Sequence, residues 1–487
     1  MTPREFIDLL REQLVKCRHE HGNRFLCNNY GEAIMITRLH LQNFKSWKDT
    51  ERMRMAPLTG LFGANSSGKT SLLQFLLMLK QTAESADRSR VLHTGDDRSY
   101  VDLGTFHDLI YGHDQAKDLA YSLEWTLTTP LHITDPERKN VRLFQINKLQ
   151  FEAVLRNING VTQVDRFTYQ FDGNQFGMAR QIADGNTDDY ELTVSGYELK
   201  RSRGRKWPLP RPVRNYGFPD QVNAYYQNAG FLSELVLSLE QQLQELFYLG
   251  PLREYPNRHY LWAGERPPDV GSRGEQAVPA LLASRRFGKV IHRGRGRPKQ
   301  TVEECVAMWL KRLGLIHSFG LKPIAENRKE YEVRVRRTAI SPEVLITDVG
   351  FGVSQILPVL VLCFYAPKGA TLILEQPEIH LHPAVQAGLA DVFIDAIKTR
   401  DIQIVLESHS EHLLRRLQLR IAEEKLLPEQ TALYFTRISD KGQSSLQELD
   451  VDSYGNIRNW PVNFFGDELG ELAAMTEAAL QRQMELT

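Results

Sequence analysis

The chain has 487 residues, 42% hydrophobic and 25% charged, the mixture of a soluble globular protein with room for two or three compact lobes. Its 60 Lys and Arg balance its 60 Asp and Glu, so net charge selects no class of partner. The longest apolar run, Ile356 to Ala366, is about half the ~20 residues of a spanning helix, and four widely spaced cysteines make no disulfide framework. The opening segment is amphipathic rather than continuously apolar, so a reducing, cytoplasmic location with no membrane contact is expected.

In chain order, Thr2 and Pro3 suit the cap and first turn of a helix to about His19, an N-terminal extension over 1–33. A first lobe over 34–118 contains the alternating strand MITRLHLQNF, the buried strand LTGLF at Leu58–Phe62 and an apolar helix over Thr70–Ala83. Residues 119–225 turn to alternating polar and apolar residues with turn signals such as NINGVTQ and DGN, predicting an inserted β-rich lobe. Helices over Asn228–Leu246 and Thr301–Leu315, joined by loops, fill 226–340.

Alternation of strands and helices returns over 341–440. Strands are expected at Thr371–Glu375, Ile402–Leu406 and Ala432–Ile438, with helices at Pro383–Lys398 and His409–Ala422. A small C-terminal region, 441–487, opens with a strand at Leu446–Val451. This order implies a parallel-rich sheet covered on both faces.

Charge is unevenly spread. Lys200–Arg214 and Arg285–Lys299 each carry seven basic and no acidic side chains, so two basic segments sit on an acidic remainder. They could bind nucleic acid through phosphates, with limited aromatic help from Trp207 and Phe287, or be solvated loops; the sequence leaves both open.

The strongest motif is GANSSGKT, Gly63 to Thr70, between an apolar strand and an apolar helix. Phosphates need many donors at close range. Gly63 and Gly68 permit the tight wrap that turns the backbone N–H groups of Asn65, Ser66, Ser67 and Gly68 inward, and the following helix adds its positive end. Lys69 would reach the β- and γ-phosphates of ATP and Thr70 would ligate Mg²⁺. The segment TLILEQPEIHLHP supplies Glu375, at the end of a strand, as the second acid directing the Mg²⁺.

Together these residues resemble the ABC-type ATPase heads of the RecF, SMC and OLD class. The resemblance runs discontinuously from Met35 to about Arg416, with ITRLHLQNFKSW as opening strand, GANSSGKTSLLQ as Walker A and DVGFGVSQILPVL as signature motif. LILEQPE resembles Walker B, HLHP the D-loop region and VLESHSEHLL the switch-histidine segment. SYGNIRNWPVNFFGDEL and YLGPLREYPNRHY are similar to a prokaryotic AAA-type ATPase group with an uncharacterised C-terminal domain, of the kind found in anti-phage defence systems. The fold implied is α/β, an ABC-type head with a large β-rich and helical insertion between Walker A and signature motifs.

In that class two heads sandwich two ATP molecules, so a homodimer or higher oligomer is implied. Ser354 would donate to the γ-phosphate across the interface, and Pro358 is expected in the first turn of its helix. Where many relatives have an acid beside Walker B, this chain has Gln376, which orients water but accepts no proton. Glu378 is the substitute and His409 the contact to γ-phosphate or water, which implies slow hydrolysis. The expected function is an ATP-driven regulator of an effector such as a nuclease or toxin. The alternatives are a RecF- or SMC-like repair ATPase binding DNA, and a non-hydrolysing scaffold for a toxic partner.

Other groupings have plainer readings. Glu378, His380, His382, His409 and His412 fall within motifs already explained; Cys17, His19, His21 and Cys27 match no common zinc spacing. Glu448, Asp450 and Asp452 alternate on a strand without the earlier glutamate that a nuclease of the OLD type would need, so no built-in nuclease is expected. Arg253 and Arg258 could contact phosphate or a neighbour, although an arginine after a Gly-Pro turn is more often structural.

Overall fold

The computed structural model describes residues 35–134, 141–181, 189–202, 204, 208–294, 296, 298–326, 328–461, 464, 474–479 and 482. The helix expected before His19 and the Cys17–Cys27 group lie outside the described residues, as do Arg203, Arg205, Lys206, Trp207, Arg295 and Arg297 of the basic windows.

Two sheets and two helical layers organise the chain from residue 35 on. One sheet is built from β1 (Met35–Phe44), β2 (Trp47–Asp49), β3 (Met53–Arg54), β5 (Leu119–Thr134), β6 (Arg142–Ile158), β7 (Val161–Phe171), β8 (Asn174–Arg180) and β9 (Tyr190–Ser195). All its pairings are antiparallel. The second is mostly parallel, in the order β10-β17-β18-β4-β19-β20. Its strands are β4 (Leu58–Gly63), β10 (Leu246–Leu249), β17 (Thr371–Glu375), β18 (Gln403–Glu407), β19 (Thr431–Ile438) and β20 (Ser444–Glu448). Between β10 and β17 lie the short strands β11 (Tyr260–Leu261), β12 (Val290–Ile291), β13 (Gln300–Thr301), β14 (Ser318–Pro323), β15 (Glu330–Arg336) and β16 (Val344–Leu345).

The residue patterns explain the difference between the sheets. In β6, Leu149, Phe151, Ala153 and Leu155 are buried while the residues between them are at least partly exposed, so one face is covered. The β6–β7 and β7–β8 hairpin loops, Asn159-Gly160 and Asp172-Gly173, both have positive φ at each central residue, the turn that matches strand twist. These strands continue the sheet begun by β1 rather than forming one of their own, because β5 pairs with β1 from Met35 to Gln42.

In β17 and β18 every residue is buried, and alternate ones enter different cores. Leu372, Leu374, Ile404 and Leu406 join one cluster; Ile373 and Val405 join the other, with Leu72, Leu76, Tyr121 and Phe151. Helices α1 (Lys69–Glu84) and α2 (Leu232–Gln244) therefore fill the space between the sheets. On the far face pack α3 (Ala277–Arg286), α4 (Val302–Arg312), α5 (Phe351–Tyr365), α6 (Pro383–Arg400) and α7 (Glu411–Ala422). Each such buried Leu or Phe contributes roughly 1.5–3 kcal/mol. Gln403 is a polar tie inside this core, bonding Ile36 N, Ile36 O, Ala56 O and Thr371 Oγ1.

Three local expectations are corrected. Pro358 is not in a first turn: α5 begins at Phe351, and the proline sits in the helix interior against Gly274, where a Cβ on the glycine would lie 2.5 Å from the ring. His409 is not helical, because the Ser410 hydroxyl accepts from Leu413 N and caps α7 after it. The helix expected to run to Leu246 ends at Gln244, and Leu246–Leu249 is instead a strand parallel to β17. Its four residues are all buried between two layers, an environment a single amphipathic pattern does not reveal.

Candidate functional site

The phosphate loop leaves β4 at Gly63 and enters α1 at Lys69. Two glycines make its course possible. Gly63 has φ 137° and a Cβ there would meet Thr436 O at 2.3 Å; Gly68 has φ 95° and a Cβ would meet Ser444 Oγ at 2.6 Å. The loop is anchored on two sides: Ser67 Oγ contacts Thr436 Oγ1 at 2.5 Å, and Trp47 Nε1 donates to Gly68 O at 3.1 Å. Asn65 and Ser66 are exposed at its tip, whereas Ser67 is buried.

Lys69 is 2% exposed and its Nζ donates to Gly63 O at 3.0 Å and Ala64 O at 2.7 Å. The carboxylate nearest this loop is not Glu375 but Glu407, the last residue of β18. Because β18 lies directly beside β4, Glu407 Oε2 accepts from Thr70 Oγ1 at 2.7 Å, and its Oε1 is 4.0 Å from Lys69 Nζ. Sequence reading placed Glu407 within VLESHS without giving it a role. The available signal was an acid ending an apolar strand, just before the histidine.

Glu375 is one strand further out, in register with Glu407. Its Oε1 accepts from Tyr248 Oη at 3.2 Å. Burial, then the neighbouring Glu407 charge, push its carboxyl up to about 7. Gln376 takes φ 43° and its N–H donates to Glu407 O at 2.9 Å, joining the turns after β17 and β18. Glu378 is buried; its Oε1 accepts from His409 N at 2.7 Å while Oε2 has no partner among the described residues. Burial raises its pKa, opposed first by the bond from His409 N.

His409 Nε2 is 3.9 Å from Glu407 Oε1, and burial followed by the Lys69 charge lowers its pKa. Lys69 is lowered by burial, with Glu407 and Glu378 opposing. Five of the expected groups, Lys69, Thr70, Glu375, Glu378 and His409, thus converge with Glu407 at the carboxyl ends of β4, β17 and β18.

Ser354 stands apart. It is 7% exposed and lines a small cavity with Glu254, Tyr255, Asn257, Gly274 and Pro358, none of them a phosphate-loop residue. Other candidates bond away from this site. His382 caps α6 by accepting from Ala384 N, Asp452 accepts from Tyr454 N and Asn456 N, and Glu448 pairs with Arg54 at 2.9 Å. Arg258 pairs with Asp348 at 3.3 Å. Among the described residues no group of three or more His, Cys, Asp or Glu is arranged to hold a metal ion by itself.

Much of the basic windows is engaged within the chain. Arg214 pairs with Glu240, Arg285 with Glu303 and Arg293 with Asp395, while Lys289 donates to Tyr365 O.

Residues 35–149 match the family model described as "AAA ATPase domain". Residues 320–415 match "AAA domain, putative AbiEii toxin, Type IV TA system", and 426–475 match "Protein of unknown function (DUF3696)". No curated protein matches the chain. Among solved structures it is similar to an Smc head domain from Pyrococcus furiosus bound to the C-terminal domain of ScpA. That likeness has 11% identity and TM-score 0.43, and covers 86% of this chain and 96% of that one. An SmcHead bound to the C-winged helix domain of ScpA gives 11% and 0.40, covering 86% and 98%. The SMC head domain from Thermotoga maritima gives 10% and 0.38, covering 85% and 99%. The described helices include none long and apolar enough to cross a membrane.

Proposed function

We propose that this chain, an ABC-type ATPase head of the RecF, SMC and OLD class, binds MgATP at Gly63–Thr70, hydrolyses it slowly, and assembles through it. The observation that carries this reading is the meeting of Lys69, Thr70 and Glu407 at adjoining strand ends, with Glu375 in register beside them.

Donor chemistry fits Mg²⁺. A hydroxyl and two carboxylates offer hard oxygens, and Glu375 and Glu407, side by side in register on adjacent strands, form a buried acidic pair that a divalent cation relieves. When bound, the ion would offset charge on the transferring phosphoryl group. Thr70, Glu407 and Glu375 would hold its coordination shell. Lys69 would bridge the β- and γ-phosphates, with the N-terminus of α1 behind it. Gln376 would orient the attacking water, and Glu378 Oε2 would accept its proton, Oε1 being held by His409 N. His409 would contact the γ-phosphate.

Because the residue next to Glu375 is an amide, turnover is expected to be slow and the ATP-bound assembly long-lived. In single-turnover hydrolysis, Gln376→Ala should slow phosphate release further. Rapid release that the substitution leaves unchanged would reject a special role for Gln376.

Assembly rests on Ser354 donating to ATP held by a second copy. Ser354 is 7% exposed and lines a cavity with Glu254, Tyr255 and Asn257, which would flank that contact. Ser354→Ala should reduce the ATP-dependent increase in particle mass, measured by light scattering, and leave ATP affinity of the single chain unchanged. Equal assembly of the two proteins would remove Ser354 from the interface.

For an effector-regulating role in anti-phage defence, the support is the family description over residues 320–415, which names a putative toxin of a toxin–antitoxin system. A DNA-repair role draws less support, since Arg214, Arg285 and Arg293 already hold internal carboxylates.

A further inference from the structure

The strand β10 was not expected from the sequence, and it places two side chains against Glu375 on the side away from Glu407. Leu249 is in register with Leu374, so residues following β10 flank those following β17. Tyr248 reaches forward to Glu375 Oε1 at 3.2 Å. Gly250 makes room for this: a Cβ there would lie 2.8 Å from the Tyr248 hydroxyl.

The chain then turns at Pro251 and sends Arg253 back inside. Leu252 and Tyr255 are 73% and 72% exposed, yet Arg253 between them is 6% exposed. Its Nη2 donates to Glu375 O at 3.4 Å, while Nε and Nη1 have no hydrogen-bond partner among the described residues. A buried guanidinium with two idle nitrogens is unfavourable unless nearby negative charge compensates it. Glu375 and Glu378 provide that charge. Three buried carboxylates, Glu375, Glu378 and Glu407, thereby face two buried cations, Lys69 and Arg253.

We propose that Tyr248 and Arg253 are positioning residues for Glu375: the tyrosine fixes one carboxylate oxygen so that the other stays directed to the metal, and the arginine balances the carboxylate cluster. The inference rests on the MgATP reading above. Both side chains contact Glu375 and would act through it. Partners that orient a ligating carboxylate change metal affinity by about 10–100-fold when removed.

The test uses the full chain with a fluorescent, non-hydrolysable ATP analogue, titrated with Mg²⁺. Tyr248→Phe, which deletes one oxygen, should raise the Mg²⁺ concentration for half-maximal response about 10-fold. Binding of the analogue without Mg²⁺ should stay the same. Arg253→Gln, which removes a positive charge beside the carboxylates, should lower the Mg²⁺ midpoint, and Arg253→Lys, which keeps the charge, should stay near the wild type. An unchanged Mg²⁺ midpoint in folded Tyr248→Phe overturns the proposal, as does an equal loss of analogue binding with and without Mg²⁺. Lys69→Ala run in parallel separates the two levels: if it still binds the analogue, the nucleotide reading itself fails.

Discussion

Glu378→Gln is expected to slow ATP hydrolysis by roughly 10²–10⁴-fold, the range a positioned general base contributes. The amide keeps an oxygen to accept from His409 N, so the turn linking the two segments should survive. What is lost is the proton-accepting capacity of Oε2, which is buried and has no hydrogen-bond partner among the described residues. ATP affinity should remain within about twofold, since the carboxylate acts on the water rather than on the bound nucleotide. The variant should therefore accumulate in the ATP-bound assembly. Steady-state turnover and nucleotide retention measured together check this. If turnover persists at the wild-type rate, Glu378 is not the base and Glu407, beside Lys69 and His409, becomes the candidate.

Lys69→Ala should abolish nucleotide-dependent assembly as well as turnover. Hydrogen bonds to charged groups contribute about 1.5–3 kcal/mol each, so losing those to two phosphates weakens ATP binding at least 100-fold. A thermal shift gives a direct measurement. At 100 times its dissociation constant ATP stabilises the wild type by about 2.7 kcal/mol, and the variant at the same concentration should show no more than about 0.4 kcal/mol. The variant should also melt earlier without nucleotide, because Lys69 is a buried cation 4.0 Å from Glu407 and near Glu378. Comparing the shift on adding ATP, rather than the melting point itself, keeps the two effects apart. ATP-dependent assembly that survives in this variant would exclude an ATP-sandwiched interface.

The parts of the site legible in the sequence are those carried by contiguous residues. Gly63, Gly68, Lys69 and Thr70 form one loop whose spacing follows from phosphate geometry, and Glu375 is recognisable because an apolar strand ends on it. Hairpins at Asn159-Gly160 and Asp172-Gly173 were equally readable, since their backbone demands particular residues. Glu407 was not. Its role depends on β18 being the strand next to β4, and strand order is a long-range property of the whole sheet. Tyr248 and Arg253 were obscured for the same reason, with the added difficulty that LFYL continues the apolar pattern of the helix before it.

By itself, then, the sequence determined an ATPase-type phosphate loop, an α/β framework with a β-rich insertion, and the amide at Gln376 where a base is expected. Local backbone geometry and apolar periodicity dictate all three. Only the tertiary structure decided which carboxylate touches Thr70, that the inserted strands extend the sheet of β1, and that Ser354 lines a cavity with Glu254 and Tyr255 rather than with the phosphate loop. Those facts depend on which strands and loops become neighbours, and burial of two faces of one sheet, not any local signal, selects that arrangement.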